Sequence, residues 1–175
     1  DGDASGSAIG GTHAVYDAGI MVEFVSPATA TRSATADAAG ESDTGEFKIT
    51  FDVTAFDADA RIDKSCETDN ASHAAGEGVV YDETISAADT TGWTAACTVS
   101  SANSDTEDTA TDFEVDEDTT RRFTLTVNVT PDEDSFVQIM MESINWGTAT
   151  DGTNANYYTF DMGDYKTDSL FLNDM

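Results

Sequence analysis

Residues 46–55 (EFKITFDVTA) place Phe47, Ile49, Phe51 and Val53 at every second position, between Lys48, Thr50, Asp52 and Thr54. A period of two with one apolar face predicts a half-buried β-strand. Residues 122–130 repeat the signature, with Phe123, Leu125, Val127 and Val129 alternating with Thr124, Thr126 and Asn128. Residues 13–25 put Ile20, Val22 and Phe24 on one face and Met21 and Val25 on the other. Residues 136–146 set Val137, Ile139 and Met141 against Phe136, Met140, Ile144 and Trp146. Apolar residues on both faces predict strands enclosed by others.

Shorter strands are predicted over residues 78–86, 93–99, 112–115, 157–162 and 169–172. Between them lie long polar stretches, of which the Ala/Thr-rich residues 26–44 read as a surface loop. Residues 56–64 read as a turn, and residues 131–134 (PDED) as another. No helix of ten or more residues is predicted. Eight or nine strands joined by turns predict an all-β chain, an antiparallel β-sandwich of jelly-roll or immunoglobulin-like type with long polar loops.

Composition adds a constraint on partners. The 35 acidic residues outnumber 7 basic ones, for a net charge of −28. Phosphate binding needs a basic footprint, so nucleic acid and anionic membrane surfaces are excluded as default partners. Such charge strains the compact state by self-repulsion, which salt or divalent cations relieve. No run of 18 apolar residues occurs, so no membrane span is predicted. In 175 residues a single sandwich domain is expected.

Cys66 and Cys97 are the two cysteines, and neither CxxC nor paired histidines accompany them. A Cys66–Cys97 disulfide is the simplest reading, which implies an oxidising compartment. Asp1 opens the segment DGDASGSAIGG without an initiator Met, which reads as a mature N-terminus left after signal-peptide cleavage. Asn70-Ala71-Ser72 and Asn128-Val129-Thr130 match the N-glycosylation pattern, making Asn70 and Asn128 candidate acceptors. All three features predict a secreted, extracellular or cell-surface protein.

Candidate chemistry is sparse. His13 and His73 are the only histidines, and no GxSxG, HExxH or P-loop pattern is present, so no catalytic residue and no enzyme activity is expected. Carboxylates cluster on turns at Asp57, Asp59 and Asp63, at residues 116–118, at residues 132–134, and at Asp161 with Asp164. Calcium takes six to eight oxygens gathered in this way. Asp57, Asp59 and Asp63 are the preferred candidate metal ligands, because their turn leaves the strongest predicted strand; the alternative is a solvated acidic turn. Trp93, Trp146, Tyr157 and Tyr158 could stack on a sugar, although Trp in a small sandwich is more often core.

The N-terminus suggests assembly. A small-residue segment followed by an apolar strand is what strand donation requires, with one subunit's strand completing the next. Residues 1–25 are then a candidate donor segment, with Ile9, Val15, Ile20, Val22 and Phe24 as groove fillers, and residues 26–175 the sandwich that receives it. A head-to-tail contact of this kind builds a filament from copies of one chain. The alternative is that residues 13–25 are the first strand of their own sheet.

This layout over the whole chain resembles secreted β-sandwich fibre subunits of the TasA/camelysin type and the archaeal bundling pilins. The resemblance implies a non-enzymatic structural subunit of a surface filament or pilus, polymerising by donor-strand complementation. The competing expectation is a calcium-dependent adhesin or carbohydrate-binding module of the cell surface.

Overall fold

A computed structural model describes residues 18–33, 43–68, 76–86, 92–150, 156–160 and 163–174. All regular structure among them is β: β1 (Gly19–Ser33), β2 (Thr44–Phe56), β3 (Ala60–Asp63), β4 (Cys66–Thr68), β5 (Val79–Ile85), β6 (Thr94–Ser101), β7 (Asp112–Val115), β8 (Thr120–Thr130), β9 (Ser135–Gly147), β10 (Asn156–Thr159) and β11 (Leu170–Leu172). One sheet has the order β1-β2-β8-β6. The other runs β4-β5-β9-β3-β7, with β10 and β11 also paired to β9. Pairing is antiparallel except between β4 and β5. Two sheets sharing one apolar interior make the predicted β-sandwich.

β2 and β8 form the centre of the first sheet, and their apolar phases coincide in register. Phe47 faces Val127, Ile49 faces Leu125 and Phe51 faces Phe123. All six side chains are buried, and the Phe51 and Phe123 rings stack at 5.7 Å between centroids. The opposite phase carries threonine pairs, Thr50 with Thr124 and Thr54 with Thr120, and an ion pair in which Arg122 donates to both oxygens of Asp52. β-Branched polar residues on the wet face and aromatics on the dry one satisfy the same pleat.

β9 is the hub of the second sheet, and its two-faced pattern has a structural cause. Val80 pairs with Ser143 but Tyr81 pairs with Met141, so Glu142 is an extra residue in the ladder. A bulge of this kind resets the alternation. Val137, Ile139 and Met141 face the core before it, and Ile144 and Trp146 face the core after it.

Three predicted features are revised. β1 continues through residues 26–33, which read as loop in the sequence; Thr29–Ser33 pair with Thr44–Lys48 beyond an irregularity between Val25 and Thr29. Alternation is absent there because the segment packs small side chains along a sheet edge and presents most of them to solvent. Within the predicted turn of residues 56–64, residues 60–63 form β3, whose four side chains are all buried. Too short for a visible period, β3 is defined by its partners β7 and β9. β4 is shorter still and pairs with β5.

The sandwich has two lateral openings, each closed differently. On one side the edge strands β4 and β6 are joined by the Cys66–Cys97 disulfide, with the Cα atoms 6.0 Å apart. On the other, the Tyr165 hydroxyl donates to the Val22 carbonyl at 3.0 Å, and the Tyr165 ring meets Phe24 edge-on and packs against Phe160 at a tilt of 44°. The segment bearing Tyr165 is held along β9 by hydrogen bonds from the Met141 amide to the Tyr165 carbonyl and from the Thr167 amide to the Ile139 carbonyl.

The disulfide closes a separation of 31 residues and also ties one sheet to the other. Cys66→Ala/Cys97→Ala is expected to lower unfolding stability by roughly 3 to 4 kcal/mol on the chain-entropy account. Urea denaturation of this variant, and of the wild type with reductant, should show the same lowered midpoint.

Candidate functional site

The disulfide-closed opening holds a groove of about 540 Å³. Period two in β5 puts Val79, Tyr81, Glu83 and Ile85 on one face, so an acid interrupts the core phase of the strand. Tyr81 and Glu83 form one wall, Glu67 and Thr68 of β4 another, and Trp93 with the first residues of β6 a third. Burial, and then the charge of Glu83, pushes the Tyr81 hydroxyl up to about 12. Burial and the neighbouring Asp82 raise the Glu83 carboxyl above its ordinary range. Glu83 Oε2 and the Trp93 indole Nε1 are both buried, and neither has a hydrogen-bond partner among the described residues. An acceptor and a donor left unsatisfied on one groove are the features that a small polar ligand or ordered water would complete.

A second polar centre lies where β3 pairs with β7. In that pair Ile62 and Phe113 face the core, while Arg61 and Glu114 occupy the other phase, beneath residues 102–111. Arg61 meets Glu114 Oε1 at 2.8 Å and donates to the Glu107 carbonyl. Arg121 precedes the apolar phase of β8 and is buried beside the rings of Phe113 and Phe123. Its guanidinium donates to both oxygens of Asp108, to Ser101 Oγ, and to the carbonyls of Asn103 and Glu114. All five of its N–H directions are thereby used, which is what a buried guanidinium requires.

The acids here diverge in response. Burial raises Asp108, but hydrogen bonds from Arg121 and from the amides of Glu114 and Asp105, with the Arg121 charge, outweigh it and hold the carboxyl well below its usual range. Glu114 goes the other way. Burial, interaction with the Glu107 carboxyl, and the charges of Glu107 and Asp59 overcome the attraction of Arg61 and lift it from 4.5 to about 7. Oxygens of Asp59, Glu114 and Asp116 all lie within 4.8 Å of one another.

The predicted site residues are therefore redistributed. Asp59 joins Glu114 and Asp116; Asp57, exposed with φ of 62°, and Asp63, buried in β3, are not in that group. Trp146, Tyr157 and Tyr158 line a cavity of about 420 Å³ with Ala18, Gly19 and Ile20, whereas Trp93 belongs to the groove beside the disulfide. Ile20, Val22 and Phe24 lie in β1, and Asn128 is exposed on β8. Ile9, Val15, Asn70, His13 and His73 lie outside the described residues.

The buried charges were missed by alternation that was followed only through apolar residues. Glu83 is in phase with Val79 and Tyr81, and Arg121 with Phe123 and Leu125, so a charge on the dry phase was the available signal. No family model, curated protein or solved structure matches the chain.

Because the folded state holds a proton on Glu114 up to about pH 7, while an unfolded glutamate loses it near 4.5, the native state binds more protons between those values. Stability from this group is full below about pH 4.5 and is lost as pH rises through about 7. Denaturant melts with chelator present should show that decline, and Glu114→Gln should make it shallower, leaving the share of Glu83. An unchanged slope would contradict the assignment.

Proposed function

We propose that the protein is a non-enzymatic extracellular structural subunit whose copies join by exchange of the first half of β1. The observation that carries this reading is the irregularity between Val25 and Thr29, which divides β1 on an outer edge of its sheet. Residues 19–25 pair with residues 50–56, and residues 29–33 pair separately with residues 44–48. Pro27, which lacks an amide hydrogen, lies within the break. A segment bounded by such a break can leave its seat while the remainder stays in register.

The seat is specific enough for a second copy's strand to use. It offers the free edge of β2, the Tyr165 hydroxyl for the carbonyl of residue 22, and ring contacts for Phe24. The strand lies beside β2 and not across its apolar face, since Phe47, Ile49, Phe51 and Val53 are already buried against the second sheet. Backbone pairing at an edge supplies cohesion, and the alternate side chains supply specificity. The disulfide and the high negative charge suit an oxidising, saline exterior, and no helix is long and apolar enough to cross a membrane.

A second reading is favoured by the unpartnered Glu83 Oε2 and Trp93 Nε1: a carbohydrate-binding module at the cell surface, with hydroxyl groups bonded to both. Glu83→Gln would then weaken retention on a glycan column without altering assembly.

Electron microscopy of the purified chain should show filaments that disappear when residues 1–25 are deleted. The truncated protein should bind a synthetic peptide of residues 13–25, and Ile20→Asp in that peptide should weaken binding. A monomeric full chain with no affinity for the peptide would remove the reading.

A further inference from the structure

We propose that Asp59, Glu114 and Asp116 form a binding site for a hard divalent cation of the calcium class. This site is independent of strand exchange and of the groove beside the disulfide. The three residues come from different places: Asp59 from the connection between β2 and β3, Glu114 from within β7, and Asp116 from the connection that leads into β8. Each contributes an oxygen to a group spanning no more than 4.8 Å.

Proximity of acids alone would be weak ground, because exposed carboxylates cluster without a ligand. Glu114 supplies an independent reason. Its side chain is 99% buried, one oxygen is paired to Arg61, and the other has no hydrogen-bond partner among the described residues. A buried carboxylate oxygen with no donor is costly, and native structures leave few. Nor do the neighbouring guanidinium groups supply one. Arg121 is consumed by Asp108, Ser101 and two carbonyls, and the close contacts of Arg61 go to Glu114 Oε1 and the Glu107 carbonyl.

There is room for an ion with its waters. A cavity of about 110 Å³ opens beside the cluster, lined by Glu114 and Asp116 with Asp105, Ser104 and Asn103 and by Arg121, whose guanidinium is already paired with Asp108; Asp59 is not in its wall. Its neighbouring charges also match. Asp59, Glu114 and Asp116 gather at the position with Glu107 close to Arg61, and the two nearby cations are already paired, Arg61 with Glu114 and Arg121 with Asp108.

Ligand chemistry selects the class. The group offers oxygens only, without the imidazole or thiolate that zinc or copper sites draw on. Two of its carboxylates are exposed, so water completes the shell. Calcium accepts such an irregular set of six to eight oxygens, whereas magnesium demands a near-ideal octahedron and yields its water reluctantly. Bound there, the ion would link the β2–β3 connection to β7 and to the turn before β8, joining the second sheet to the strands at the centre of the first.

Calorimetric titration of Ca²⁺ into the chelator-treated full chain, at fixed high ionic strength, is the test. One saturable site is expected, with a rise in melting temperature that NaCl at equal ionic strength does not reproduce. Asp59→Asn and Asp116→Asn, both at exposed positions, should each weaken binding by about tenfold or more through loss of a charged ligand. Asp57→Asn, outside the group, should bind as the wild type does, which separates this set from an undifferentiated acidic surface. Absence of saturable binding, equal loss in Asp57→Asn, wild-type affinity in both ligand variants, or equal affinity for Mg²⁺ would overturn the proposal.

Discussion

A sandwich of two sheets buries one face of each, but it leaves lateral openings through which water could reach the interior. Closing those openings is the constraint on which the remainder of this structure depends. On the β4–β6 side closure is covalent, through Cys66 and Cys97 at the outer strand of each sheet. On the β1 side it is non-covalent, through the hydroxyl and ring of Tyr165 against Val22 and Phe24. The asymmetry has a functional corollary. A covalent edge is permanent in an oxidising medium, while an edge held by pairing and ring contacts can be vacated and refilled. The proposed exchange of β1 uses the second kind of edge, and the groove with unpartnered polar atoms lies at the first.

Charge imposes a second constraint. With only seven basic residues in the chain, the placement of each one matters. Arg61, Lys64 and Arg121 all come to the region where residues 102–111 cover β3 and β7; Lys64 donates to the Thr109 carbonyl and lies over Phe113. Removing one partner from such a buried network leaves uncompensated charge, so the arrangement specifies one conformation for the covering segment even where it adds little net stability. Glu114 is the member left over: its second oxygen finds no donor among the described residues, and burial raises its proton affinity. The cation site proposed above would use that second oxygen.

Much of this was legible in the chain. Alternation at residues 46–55 and 122–130 located β2 and β8, because both carry strict apolar/polar periods over a length that dictates one wet and one dry face. The cysteine pair was legible by elimination. The shift of phase in residues 136–146 was visible too, although it read as two apolar faces where the structure has one face and a bulge at Glu142. Residues 26–33 and 60–63 were not legible as strands, since small or short segments carry no period of their own and take their conformation from β2 and from β7 and β9.

By itself, then, the sequence determined the all-β architecture, the central pair of strands, the disulfide and the acidity, because each follows from local periodicity or from residue counts. Only the tertiary structure decided which acids meet. Asp59 was legible as a turn carboxylate, but its companions proved to be Glu114 and Asp116, more than fifty residues away, and not Asp57 and Asp63 beside it. The physical reason is that the turn after β2, with Asp57 at a φ of 62°, breaks the alternation that would set residues 57, 59 and 63 on one face, while the lateral pairing of β3 with β7 brings Glu114 and its neighbours alongside Asp59.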